Sequence, residues 1–159
     1  MGPGLLLKAV MQGSFSLMVF GWAQIVMDIQ PLIVLFTGQG HLHGFTHTLI
    51  GATLLGALSA LTGKYLSEIG LRLLQLQRFL PIRWPIAIIS AYIGTYSHVV
   101  LDAIMHADLQ PFAPFDLHNP LLGMLSISAL HRLCVYSGLL GGALYFAVSF
   151  WIARPRSRQ

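Results

Sequence analysis

The chain has 159 residues, 55% of them hydrophobic and only 9% charged, with a mean hydropathy of +0.72. That length makes a single domain, 1–159, with too much surface per volume to hide so much apolar side chain from water, so the solvent is expected to be lipid. Disorder is excluded by the same composition, and one cysteine, Cys134, excludes a disulfide scaffold or a cysteine-built metal site. The formal charge of +4 would suggest nucleic acid in a soluble protein. Here the bases are read against membrane topology, and no nucleic-acid partner is expected.

A membrane helix needs about 20 mostly apolar residues, and four stretches qualify. The first, 15–37, is broken by Gln24, Asp28, Gln30 and Pro31. It is long for a signal peptide and no convincing small-residue cleavage site closes it, so it is kept as a span. The second, 45–63, opens near His47. Residues 64–80 then place Leu66, Ile69, Leu73, Leu76 and Leu80 at helical spacing, with Lys64, Glu68, Arg72 and Gln75 opposite. That pattern predicts an amphipathic helix in the membrane surface, ended by Pro81 and Pro85. The third span, 85–105, carries His98 and Asp102, and the fourth, 133–153, has no charge before Arg154. Between them the Pro-rich segment 106–132 contains an apolar run, 121–130, too short to span and suited to a re-entrant or interfacial outer segment. The fold class is therefore an all-α integral membrane protein of four spans.

With the amino terminus in the cytoplasm, Lys8, Lys64, Arg72, Arg78, Arg83, Arg154, Arg156 and Arg158 fall inside and only Arg132 outside. This is the bias of the positive-inside rule. Both termini are thus expected on the cytoplasmic side of a prokaryotic inner membrane. Spacings of four small residues, Ala52/Gly56/Ala60 and Gly138/Gly142, suit close helix packing in lipid.

The acids and histidines sort the other way. Eleven of the twelve lie in outer loops or outer helix halves, and only Glu68 is on the cytoplasmic side. Asp102 lies roughly 6 Å and His98 roughly 12 Å below the level of His106, from a rise of about 1.5 Å per residue. An ionised Asp at such depth costs several kcal/mol unless it is paired or hydrated. No Lys or Arg is expected on that side within the spans, so the partner of Asp28 and Asp102 is a metal ion or a protonated histidine. His98, Asp102 and His106 fall at i, i+4 and i+8 on one helix face, and His43 and His47 are also four apart. Imidazoles and carboxylates on facing helices are how metal sites inside bundles are built. Ser97 beside His98 is no catalytic pair, and no Gly-rich phosphate loop is present.

These residues resemble the bacterial and archaeal membrane-bound metal-dependent hydrolases of the inner membrane. The likeness is carried by Met27-Asp28-Ile29-Gln30-Pro31, by His43-Gly44-Phe45-Thr46-His47-Thr48, and by Ser97-His98-Val99-Val100-Leu101-Asp102 with Pro111, Pro114 and Phe115 after it. It covers most of residues 24–120. Gln30 stands where that family has a second acid, and Leu42 and His43 stand where it often has His-Arg, leaving His41 and His43 both open. The family is more distantly similar to zinc-dependent phospholipase C, which implies phosphoester hydrolysis by analogy of fold and ligand type.

The expectation is a metal-dependent hydrolase acting at the outer leaflet on a phosphoester of a lipid or polyprenyl carrier. Asp28, His47, His98 and Asp102 are expected to bind a divalent metal, Zn²⁺, with His43 or His106 completing a first or second ion. The metal is expected to polarise a phosphoryl or acyl oxygen and supply hydroxide. Asp108 or Asp116 is the expected general base or holder of a second metal, with His106 beside them. The competing readings are a metal-ion transporter, a haem-binding subunit ligated by His47 and His98, and a structural subunit with no metal.

Overall fold

Helix formation follows the apolar stretches, and the chain leaves each helix where a cap or a proline dictates. The computed structural model describes residues 1–153, so Arg154, Arg156 and Arg158 lie outside the described residues. It contains α1 (Gly2–Met11), α2 (Leu17–Thr37), α3 (Leu49–Leu73), α4 (Trp84–Met105) and α5 (Ile127–Ala153), and no strand among the described residues. The last four are long and apolar enough to cross a membrane.

Local chemistry sets the ends. Ser16 caps α2 by accepting the Val19 N–H at 3.4 Å, and Thr48 caps α3 by accepting the Gly51 N–H at 2.9 Å. Gly38 closes α2 in the left-handed region at φ 69, its N–H bonded to Val34 O at 2.8 Å. Pro85 in the first turn of α4 needs no intrahelical partner.

Three boundaries differ from the sequence expectation. Residues 64–73 continue α3 instead of forming a separate surface helix, because no proline or cap interrupts the chain at Gly63–Lys64. Beyond Leu73 the chain makes a turn at Gln75 and a short 3-10 segment, Gln77–Phe79. The apolar run 121–130 forms no separate helix; it makes turns and then enters α5, which starts at Ile127 rather than near 133. Residues 2–11, too short to register as a span, form α1.

Helices α2, α3 and α4 pack as a three-helix core, while α5 lies mainly against α1 and touches α4 only sparingly. The core is closed by small side chains: Ala23, Ala52, Ser59, Ala60, Ala87, Ser90 and Ala91 are all buried, as packing in lipid favours. Gly94 marks a close approach of α4 to α2, since a Cβ there would sit 2.7 Å from the Ala23 Cβ. On α5, Cys134, Gly138 and Gly141 lie against α1, while Gly142 has open space beside it.

Polar groups separate by end. Lys8, Arg78 and Arg83 gather near the turn between α1 and α2, and Lys64 pairs with Glu68 at 2.7 Å one turn away on α3. Glu68 also accepts the Ile82 N–H at 3.0 Å, which ties the chain before α4 to the end of α3. The clustered histidine and aspartate side chains lie at the opposite end of the same helices.

Candidate metal centre

Each element delivers its polar side chains for a local reason. On α2, Gln24 and Asp28 are one turn apart on a common face, as are Gly94, His98 and Asp102 on α4. The approach to α3 is a 3-10 turn, Phe45–His47, which turns His47 inward until it is fully buried. Gly51 makes that turn possible, because any Cβ there would collide with the Phe45 carbonyl folded back over the helix start.

The result is a compact set of nitrogen and oxygen donors. His98 Nε2 lies 3.1 Å from Asp102 Oδ2 and 3.3 Å from Asp28 Oδ1. His47 Nε2 lies 3.6 Å from the same Asp102 oxygen. The His47 and His98 rings meet edge to face, with centroids 5.3 Å apart. Both Nε2 atoms are buried and neither makes a hydrogen bond; the carboxylates approach them outside hydrogen-bond geometry. A buried polar atom without a partner is costly and calls for an explanation.

The opposite edges of the two rings are fully engaged. Gln24 donates Nε2–H to the Gly94 carbonyl at 2.8 Å, which turns its Oε1 toward His98 Nδ1 at 3.0 Å. Gln30 Oε1 accepts from the Thr46 hydroxyl at 2.6 Å and from Thr46 N–H at 3.2 Å. With its own proton committed, the Thr46 oxygen accepts from His47 Nδ1 at 3.0 Å. Both imidazoles therefore carry a proton on Nδ1 and turn Nε2 toward the carboxylates, the orientation that partners of ligating histidines impose.

A second group lies outward of the first. His43 Nδ1 bonds Asp108 Oδ2 at 2.9 Å, and the His43 ring stacks on His106 with centroids 4.2 Å apart. The hydrogen bond from His43 holds the Asp108 carboxyl below the usual carboxylate range. Ligand atoms within 4.8 Å of one another define three overlapping sets: Asp28, His47 and His98; His43, His47 and Asp102; and His43, His106 and Asp108.

The structure thus brings together Asp28, His43, His47, His98, Asp102, His106 and Asp108. Asp116 is not among them: its carboxylate accepts the His118 N–H at 2.8 Å within an exposed turn. Of the two loop histidines left open, His43 brings its ring to the cluster, while exposed His41 contributes a carbonyl to Gln30 Nε2 at 3.2 Å. Sequence reasoning does not find Gln24, Gln30 and Thr46 as site residues. For Gln24 a signal is present, a polar side chain four residues before Asp28 on a membrane helix; for Gln30 and Thr46 the contact spans a loop and leaves no periodic trace.

An all-α integral membrane protein with a buried histidine–aspartate centre is the class that these features define. Residues 10–156 match the YdjM inner membrane protein family, and the chain belongs to that family. No curated protein and no solved structure matches it. The family places the chain in the inner membrane, and its chemistry has to be argued from the site.

Proposed function

We propose that this protein is a metal-dependent hydrolase whose centre is held by Asp28, His47, His98 and Asp102. The observation that carries the reading is the pair of buried Nε2 atoms that face two carboxylates without a hydrogen bond. Tetrahedral zinc sites with bonds of about 2.0–2.1 Å place neighbouring ligand atoms about 3.3 Å apart. Three of the separations here are close to that, 3.1 Å for His98–Asp102, 3.3 Å for His98–Asp28 and 3.6 Å for His47–Asp102, and the donor atoms of Asp28, His47 and His98 lie within 4.8 Å of one another. Two imidazoles and two carboxylates also suit the borderline character of Zn²⁺.

A divalent cation bound there would polarise a phosphoryl oxygen and activate water at neutral pH. The chain's own residues do the rest. The Asp108–His43 couple stands beside this centre, with the Asp108 side chain 56% exposed. It can take a proton from the attacking water, in the manner of a carboxylate-oriented base. His106, stacked on His43, completes a set that could hold a second ion. Asp28, 61% exposed within a membrane helix, marks the open side of the centre. A reacting group must reach that depth, which favours an amphiphile: a phosphoester of a lipid or polyprenyl carrier, approached from the outer leaflet under the positive-inside orientation.

Two alternatives fit the geometry less well. The rings of His47 and His98 are too close, and set edge to face, for a porphyrin to lie between them. A transporter needs a path to the other face, but below the centre the core closes on Val19, Ala60, Ala87 and Ala91.

The test is metal quantification on the full chain purified in detergent, followed by phosphate release from membrane lipid extract. Near-stoichiometric zinc, lost in His98→Ala and Asp102→Ala together with phosphate release, is the expected result. Metal-free protein with normal helicity would overturn the metal centre, and metallated protein that releases nothing from lipid phosphoesters would overturn the hydrolase.

A further inference from the structure

At the end of the molecule remote from the histidines, a cavity of about 590 Å³ lies between the α1–α5 pair and the α2–α4 core. It exists because α5 packs on α1 and barely on α4, so the two subassemblies part where the chain turns between them. Its lining is largely apolar, with Leu5 and Phe146 on the side of the α1–α5 pair and Leu71 and Ile86 on the side of the core. Lys8, Arg78 and Arg83 line it as well, and no acid lines the cavity among the described residues.

The cations are available. Neither Arg78 nor Arg83 has a carboxylate partner among the described residues; both are exposed, and Arg78 lies over the Phe79 ring at 4.8 Å. Lys8 donates to the carbonyls of Gln12 and Phe15 at 2.6 and 2.8 Å, and an ammonium has three donors. Three cations thus share one largely apolar cavity at the ends of membrane helices.

We infer that this cavity binds an anionic phospholipid, its phosphate at Lys8, Arg78 and Arg83 and an acyl chain in the slot between α5 and the core. Charge selects the headgroup, and the apolar lining selects a lipid over a soluble anion. Basic pockets between membrane helices on the cytoplasmic side hold anionic headgroups by the same physics. The site is separate from the metal centre and does not rest on the hydrolase reading. Bound there, the lipid fills the gap between the α1–α5 pair and the core.

Native mass spectrometry of the full chain, incubated in detergent with phosphatidylglycerol or with phosphatidylcholine of the same acyl chains, tests this. One phosphatidylglycerol should be retained at least tenfold better than phosphatidylcholine. The double variant Arg78→Gln/Arg83→Gln should abolish that preference, and Arg72→Gln, outside the cavity, should leave it intact. Ile86→Trp fills the slot without changing charge and should also release the lipid. Equal retention of the two lipids by the unaltered protein would overturn the proposal, whether or not any variant folds. So would an Arg72→Gln loss equal to that of the double variant, or glycerol phosphate competing as well as the lipid.

Discussion

Gln24 and Thr46 show what a single side chain decides here. Each holds the Nδ1 of one buried histidine and so aims its Nε2 at the shared space. Removing such a partner lowers metal affinity by about 10–100-fold. Gln24→Leu and Thr46→Val should therefore weaken zinc retention by that factor in competition with a chelator, at unchanged helicity. Gln24→Glu keeps an acceptor at His98 Nδ1 and should restore most of the affinity; equal loss in the Leu and Glu variants would refute the orienting role. Asp28, His47, His98 and Asp102 were all legible in the sequence, because acids and histidines are rare in membrane helices and costly there. The amide and hydroxyl that orient the rings were not. A Gln or Thr in lipid costs less, and nothing in its spacing says which ring it meets.

Among the elements, α2 and α4 are held at backbone contact by Gly94, whose carbonyl also positions Gln24. Gly94→Ala should cost about 1–3 kcal/mol by overpacking, read as a lower unfolding midpoint in detergent, and should also reduce metal retention because Gln24 shifts with it. If stability falls with no change in metal retention, the link between packing and site is wrong. The outer segment is pinned as well. Leu109 is fully buried against Met27, Val99 and Ala103, and the Leu49 N–H bonds Pro111 O at 2.8 Å. Asn119 Nδ2 donates to the Ala103 carbonyl at 2.8 Å near the end of α4. Leu109→Ala should thus cost about 2–5 kcal/mol and loosen Asp108 one residue away, measured as faster hydrogen exchange across 106–111. Unchanged exchange there would show that the segment is held by other contacts. Four apolar helices can be read from length and hydropathy alone, whereas the joining of 64–73 to α3 cannot. An amphipathic pattern fits a surface helix and the end of a long span equally well.

For the whole molecule, separation of charge by end makes a topological prediction. On a background of Cys134→Ala, Gln39→Cys in the loop beside the histidines should react with an impermeant maleimide in intact cells. Gln77→Cys, at the basic end, should react only after permeabilisation. The reverse pattern would overturn the orientation and with it a substrate drawn from the outer leaflet. The cavity that Lys8, Arg78 and Arg83 help to line belongs to this scale too, since it arises where the α1–α5 pair parts from the core.

By itself the sequence determined the solvent, the number of spans, the sorting of bases from acids and histidines, and most of the residues at the centre. It could do so because hydropathy, charge and helical spacing act along the chain and are visible in one dimension. Only the tertiary structure decided that His43 rather than His41 joins the cluster, that Asp116 turns back on its own loop, and that Nε2 is the edge that both buried rings turn to the carboxylates. Those outcomes depend on close packing between helices distant in sequence, where a glycine, an amide or a buried leucine fixes a side chain to within an ångström.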